Sequence, residues 1–250
     1  MTDNNLWQPL HDELARWINA SRSVRFWLRD DDACDPTAPL AKLLKLSAAH
    51  SLPLTLAVIP AHAGDALADE LADEELITVA VHGWSHENHA GSGEKKQELG
   101  PHRPSEIVLG ELGSGFSRLA SWFPNRFVPV LVPPWNRIEP TLIPQLPKLG
   151  FEAISTFGEP KSKQSADLPA INTHVDLMDW HGTRGCRDHG ELVAAIVKEL
   201  QHRFDDGGDT VGILTHHLVH DGSAWDFLHA LFEATAGNGG CRWVSVRELL

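Results

Sequence analysis

A single α/β domain with parallel strands, closed as a barrel rather than spread as an open sheet, is the fold class that this sequence predicts. Three observations lead there. Short apolar runs alternate with stretches of helical periodicity along the chain. Some of these runs, Leu54-Thr-Leu-Ala-Val-Ile59 most clearly, are apolar at successive positions, as parallel strands covered by helices on both faces require. Finally, reactive polar residues stand at the ends of the runs, and a parallel sheet or barrel opens all its strand C-termini on one rim, where ligands bind.

The elements follow in order. Trp7, Leu10, Leu14, Trp17 and Ile18 have helical spacing and predict a leading helix within residues 1–22. Strand-like runs then occur at Val24–Leu28, Leu54–Ile59, Ile77–Val81, Phe127–Val132, Phe151–Ile154, Leu168–Val175, Val211–Thr215 and Arg242–Val246. Helical periodicity lies between them at Leu40–Ala49, Glu106–Trp122, Thr141–Leu149, Glu191–Phe204 and Trp225–Ala234. Two stretches rich in Gly, Ser, Lys and Glu, His86–Arg103 and Glu159–Ala166, read as irregular loops. Neither is long enough to demand a boundary, so residues 1–250 are expected to form one catalytic domain.

Composition narrows the function classes. Lys and Arg number 21 against 34 Asp and Glu, a formal net charge of -13. So acidic a surface repels phosphate backbones and anionic lipid, which argues against nucleic-acid and membrane partners. The three cysteines, Cys34, Cys186 and Cys241, form no CxxC pair and read as free thiols in a reducing compartment. The first residues have no basic and apolar signal pattern, and a cytoplasmic location is expected. Oligomeric state is not legible. Fifteen histidines are many for this length, and they gather at 82/86/89, 174/181 and 216/217/220.

His82-Gly83-Trp84-Ser85-His86 is the most informative motif. Two histidines four apart share one face of a helical turn, and both rings can reach one ion. The plain alternative is a pair of surface neighbours, but this pair directly follows an apolar strand. Asp30-Asp31-Asp32 sets three carboxylates together after the first strand, where they repel unless a cation or hydrogen bonds offset them. An acidic cap before Pro36-Thr37 is the bland reading, which one Asp fits better than three. Two His and one carboxylate with an open position suit catalytic Zn²⁺, and equally accept Co²⁺, Ni²⁺, Mn²⁺ or Fe²⁺. Such an ion would polarise a carbonyl, and a neighbouring carboxylate would take a proton from the attacking water.

Further along, Pro133-Pro134-Trp135 makes a rigid strand end with a ring for a substrate wall, followed by Asn136 and Arg137 as hydrogen-bonding candidates. Asp176 and Asp179, with Trp180, could orient a histidine, or could simply cap turns. His216 and His217 close the strand Val211–Thr215; one could serve as a proton donor, and one of the pair is expected to be a core histidine. Cys186 near His189 is a weaker, thiol-based alternative. No GxGxxG, GxxxxGK[ST] or GxSxG motif is present.

Taken in order from about Arg25 to His217, these motifs resemble the polysaccharide deacetylase superfamily (NodB-like, carbohydrate esterase family four). The aspartate run, His82 and His86, Pro133-Pro134-Trp135, Asp179-Trp180 and Ile213-Leu-Thr-His216 are each similar to a motif of that family. The resemblance implies a distorted (β/α)7 barrel, a zinc-type divalent ion on one Asp and two His, and hydrolysis of an acetyl group by an Asp base and a His acid. Two registers of the acidic run are open. Aligned through Arg29, Asp31 is the base and Asp32 the ligand, the preferred assignment; aligned on the strand end, these are Asp30 and Asp31. His216 is the implied acid, oriented by Asp179 or Asp176, and Pro134, Trp135, Asn136, Arg137, Trp180 and His217 are the implied substrate-binding set. The sequence departs from the family at Ala33, where Gly is usual. It departs again at Val132, where the motif's arginine is absent and Arg137 is the candidate to compensate, and at the doubled His216-His217.

The expected activity is thus removal of an acetyl group from an N-acetylated carbohydrate or related amide, with a small molecule or oligosaccharide as the substrate. The alternatives are hydrolysis of a non-acetyl C–N bond in a small metabolite, or a member that binds a metal or ligand without turnover.

Overall fold

The described residues form eight strands and six α-helices, which alternate except from β4 to β6. The computed structural model describes residues 6–159 and 168–250. The order is α1 (Gln8–Asn19), β1 (Val24–Ala33), α2 (Ala38–His50), β2 (Leu54–Val58), α3 (Asp65–Glu70), β3 (Ile77–His82), α4 (Ser105–Trp122) and β4 (Phe127–Val132). It continues with β5 (Ala153–Ile154), β6 (Val175–Asp176), α5 (His189–Asp206), β7 (Thr210–Thr215), α6 (Gly222–Thr235) and β8 (Cys241–Trp243). Strand order in the sheet is β5-β4-β3-β2-β1-β7-β6, with β8 pairing β1. Read cyclically this is 1 to 7 in sequence, with no ladder between β5 and β6 among the described residues. That is the topology of a distorted (β/α)7 barrel, the fold class the motifs imply.

The chain divides into two compact units. The first comprises Met1–Arg29, Ala38–Leu54 and Thr173–Ser245. Here α1 buries Leu10, Leu14 and Trp17. Trp17 meets Phe204 of α5 edge-on at 5.3 Å, and the Arg22 guanidinium lies over the Trp17 ring at 4.4 Å. Arg22 also donates to the carbonyls of Phe204 and Gly208, at 2.7 and 2.8 Å, which satisfies chain ends that would otherwise be left unpaired. β1 starts in parallel register with β8 (Val24↔Cys241), and β6 runs parallel to β7 (Val175↔Ile213). α6 buries Phe227, Leu228, Leu231 and Phe232 along one face, the 3.6-residue stripe of a helix packed on a core.

The second unit comprises Asp30–Thr37, Thr55–Asn172 and Val246–Leu250. β3 and β4 are parallel, with His82 level with Val132, and β4 is parallel to β5. β2 and β3 are buried at every position, matching their largely apolar sequence, and their two buried threonines, Thr55 and Thr78, hydrogen-bond each other at 3.0 Å. α4 covers this sheet through Val108, Leu112 and Leu119, and Phe116 packs edge-on against Phe127 and Phe151.

Several elements differ from the sequence reading, each for a physical reason. β1 does not stop at Leu28. It runs on through the three aspartates to Ala33, whose carbonyl accepts from Ile59 N–H at 2.9 Å, so the carboxylates lie within the strand. The apolar pattern ends early because the strand continues in charged residues, of which Arg29, Asp30 and Asp31 are buried. The Leu168–Val175 run yields a ladder only at its end. Upstream it makes an isolated bridge, Ile154↔Ala170, because Pro169 has no N–H to give a ladder. Thr141–Leu149 forms a 3-10 segment at Ile143–Leu149 containing Pro144 and Pro147, which remove the donors an α-helix needs, and Gly150 ends it at φ 99°. α3 was not anticipated, since its six residues bury only Leu67 and show no period. Of the Glu159–Ala166 loop, residues 160–166 lie outside the described residues. No helix among the described residues is long and apolar enough to cross a membrane.

Candidate metal centre

The second unit brings three of the expected residues together. Asp32 Oδ1 lies 3.1 Å from His82 Nε2 and 3.3 Å from His86 Nε2. Ligand atoms of the three residues all fall within 4.8 Å of one another, the span one ion can bridge. Asp32 is the member of the acidic run that faces the histidines, and its side chain is 32% exposed. Asp30 and Asp31 are both buried. Asp31 nevertheless acts on the site, because its charge is felt at His82.

His82 is the last residue of β3 and only 2% exposed. Its Nδ1 sits 2.9 Å from the Val132 carbonyl, directly across the β3–β4 ladder. A carbonyl can only accept, so Nδ1 carries a hydrogen and Nε2 is the nitrogen turned toward Asp32. That is the orientation a metal ligand requires, imposed by backbone from the other side. Burial favours the neutral His82 ring, but the hydrogen bond to Asp32 and the charges of Asp31 and Asp32 outweigh it, and the ring holds a proton above its ordinary range. His86 moves the other way, down to about 4, through burial first and the His82 charge second. The two imidazoles share one carboxylate, and the one that holds the proton discourages charge on the other.

The HxxxH pair is not on a helix, a correction to the sequence reading. The chain leaves β3 through Gly83 at φ 60° and reaches His86 at φ 57°. Both rings are brought to Asp32 by a left-handed turn, with their centroids 5.0 Å apart. Trp135 packs on His86 at 4.3 Å from a backbone that is itself left-handed, φ 53°, followed by Asn136 at φ 56°. Four of the seven non-glycine residues with positive φ among the described residues are therefore Asp32, His86, Trp135 and Asn136. Such conformations persist only where the surroundings over-determine them, and they gather at functional sites.

One residue of this centre escaped the sequence reading. Glu98, in the stretch read as an irregular loop, is 1% exposed. It accepts from Ser85 N at 2.7 Å, from Ser85 Oγ at 3.1 Å and from Trp84 N at 3.2 Å. The only signal was its place beside apolar Leu99, faint in a run of Gly, Ser and Lys. Arg137, expected to compensate for the missing arginine, instead donates to the Lys96 carbonyl at 2.7 Å and ties down the same loop. Pro134 is buried and abuts the Gly83 position, which makes it a packing residue.

The remaining candidates lie in the first unit. Asp176 accepts from the Trp180 indole at 2.7 Å and from Met178 N at 2.9 Å. The Trp180 ring meets His216 edge-on at 4.7 Å and is 41% exposed. The Asp179 carboxylate accepts from Thr183 N at 2.9 Å and Gly182 N at 3.0 Å, and those amides hold its carboxyl below the ordinary range. It is a turn-forming residue, the bland alternative. His217 is buried in a 3-10 turn, and so in this structure it offers no surface to a substrate.

No protein-family model matches the chain, and no curated protein matches it. Solved structures do. A family 4 carbohydrate esterase from Streptococcus mutans superposes with a TM-score of 0.62 at 13% identity, over 94% of this chain and 90% of that one. A family 4 carbohydrate esterase from Streptomyces lividans in complex with acetate gives 0.57 at 17% identity, over 89% and 91%. A family 4 acetyl xylan esterase from Clostridium thermocellum in complex with a cobalt ion gives 0.56 at 15% identity, over 90% and 90%. The chain has the fold of these carbohydrate esterases, which belong to the family that its motifs resemble.

Proposed function

We propose that this chain is a cytoplasmic, single-domain, metal-dependent hydrolase of the NodB-like deacetylase superfamily that removes an acetyl group from an N-acetylated carbohydrate or related amide. The observation that carries the reading is the convergence of Asp32, His82 and His86, with the His82 ring oriented by the Val132 carbonyl. Imidazole and carboxylate donors fit a divalent ion, zinc first, with cobalt, nickel, manganese or iron also accommodated. Solved structures of the same fold are carbohydrate esterases, one in complex with a cobalt ion and another with acetate.

In this proposal Asp32, His82 and His86 hold the ion, which when bound supplies Lewis acidity and a reactive water near neutral pH. Asp31, buried and one residue from the ligand, accepts the proton of the attacking water, and Asp30 is the alternative base. His216 is assigned the donation of a proton to the departing amine. Trp180 and Trp135 offer ring faces to a sugar or acyl group.

Metal content and deacetylation of N-acetylglucosamine oligomers test the reading. We expect His82→Ala and Asp32→Ala to lose the metal. Asp31→Asn should retain it while kcat falls by about 10²- to 10⁴-fold, the usual contribution of a general base. Full metal occupancy in both ligand variants would falsify the site. A second reading, hydrolysis of a non-acetyl C–N bond, is favoured by one observation: Val132 stands where the family has an arginine, and Arg137 is engaged with Lys96. A panel of cyclic amides beside the acetylated sugars separates the two, and a chain that binds metal tightly but turns over neither would be a binding member.

A further inference from the structure

We infer that Glu98 is a positioning residue that sets His86 as a ligand, an inference that rests on the metal reading above. The two histidines are held differently. His82 belongs to a strand and is pinned by the Val132 carbonyl, whereas His86 stands at the far end of a left-handed turn. What fixes that turn is chiefly Glu98. Its Oε1 accepts from the Ser85 amide and hydroxyl, at 2.7 and 3.1 Å, and its Oε2 accepts from the Trp84 amide at 3.2 Å.

Successive amides following a left-handed residue form an anion-binding concavity, and here the anion is a carboxylate of the same chain. The fit is close. A Cβ added at Gly83 would collide with Glu98 Oε2 and meet Pro134 Cγ at 2.6 Å, so the glycine makes room for the carboxylate as well as supplying φ 60°. The outer side of the turn is held by Ala61 N–H on the Trp84 carbonyl at 2.9 Å and His62 Nε2 on the Ser85 carbonyl at 3.1 Å. Glu98 is itself anchored by its neighbours. Glu139 N–H donates to the Leu99 carbonyl at 2.7 Å, and Arg137 donates to that of Lys96. The Trp135 segment, the 96–99 segment and the histidine turn are thereby one connected assembly around His86. Remove the carboxylate and the Trp84 and Ser85 amides lose this acceptor, which loosens the turn that carries His86.

Co²⁺ binding tests this, with affinity and the visible absorption of the bound ion as readouts. Glu98→Ala should weaken Co²⁺ binding by about 10- to 100-fold, as loss of groups that orient ligands commonly does, and alter the spectrum. Glu98→Gln, which keeps an acceptor for Ser85, should recover most of the affinity. In a double-mutant cycle, His86→Ala should cost little once Glu98 is Ala, because the ligand has already been lost. Wild-type affinity and spectrum in Glu98→Ala, or additive effects with His86→Ala, overturn the inference alone. Should Glu98→Ala fail to fold, Glu98→Gln decides by itself: near wild-type affinity with a shifted spectrum supports the role, and an unchanged spectrum refutes it. Co²⁺ bound as tightly by His82→Ala as by wild type, or not bound by wild type, overturns the metal reading and this inference with it.

Discussion

Asn136 shows how much of this centre is decided by backbone that ordinary residues avoid. It follows Trp135 in the left-handed region, at φ 56°, where a β-carbon costs about 1–2 kcal/mol and Asn or Gly are the residues best tolerated. Asn136→Val should lower urea-melt stability by about 1–2 kcal/mol, the steric cost of a β-branched side chain there. The histidines were legible in the sequence because imidazole at the end of an apolar run stands out. The turn that joins them was not, since an HxxxH spacing fits both a helix and a left-handed turn, and distant residues such as Glu98 and Ala61 hold the turn. Among the three aspartates, sequence left two registers. In the fold it is Asp32 whose carboxylate reaches both rings.

The helices that read most clearly from sequence are those with the longest apolar stripes. α1 is one. Leu10, Leu14 and Trp17 are buried as expected, while Ile18, counted on the same stripe, is 48% exposed. Trp17→Ala should cost about 3–5 kcal/mol in chemical denaturation, the range for emptying a large aromatic site. α6 carries its own start signal. Asp221 caps it by accepting from Ala224 N at 2.8 Å and also accepts from Cys186 N at 3.0 Å. Those amides hold its carboxyl below the ordinary range. The folded pKa being depressed, the stabilisation is present above the unfolded aspartate value and is lost as pH falls through the folded one. Asp221→Ala should therefore lower stability by about 1 kcal/mol at neutral pH, the typical value of a cap. The difference in Tm from wild type should shrink as the pH is taken below the carboxylate range. Short elements were the ones sequence did not resolve, because a single buried residue such as Leu67 in α3 has no period to detect.

For the whole molecule, the proposed ligands come from residues 32, 82 and 86, supplied by separate strands and a turn. An unfolded chain does not hold them together, so an ion that binds there should stabilise the native state by mass action, about 2.7 kcal/mol at a hundred times its Kd. Thermal melts with added Zn²⁺ should show a raised Tm that a chelator reverses and that His82→Ala abolishes. An equal rise in His82→Ala would place the ion elsewhere.

By itself the sequence determined the order of strands and helices, the α/β class, and the rim on which His82, His86 and the aspartates gather. Those properties live in local periodicity and in the rule that parallel strands open at one end. The tertiary structure alone decided which aspartate faces the rings, which nitrogen of His82 is turned toward it, that Arg137 serves a loop, and that Glu98 belongs to the centre. Each of these depends on a hydrogen bond between residues 13 or more positions apart, other than Glu98's place beside Leu99, and no local pattern of apolar and polar residues encodes such a pairing.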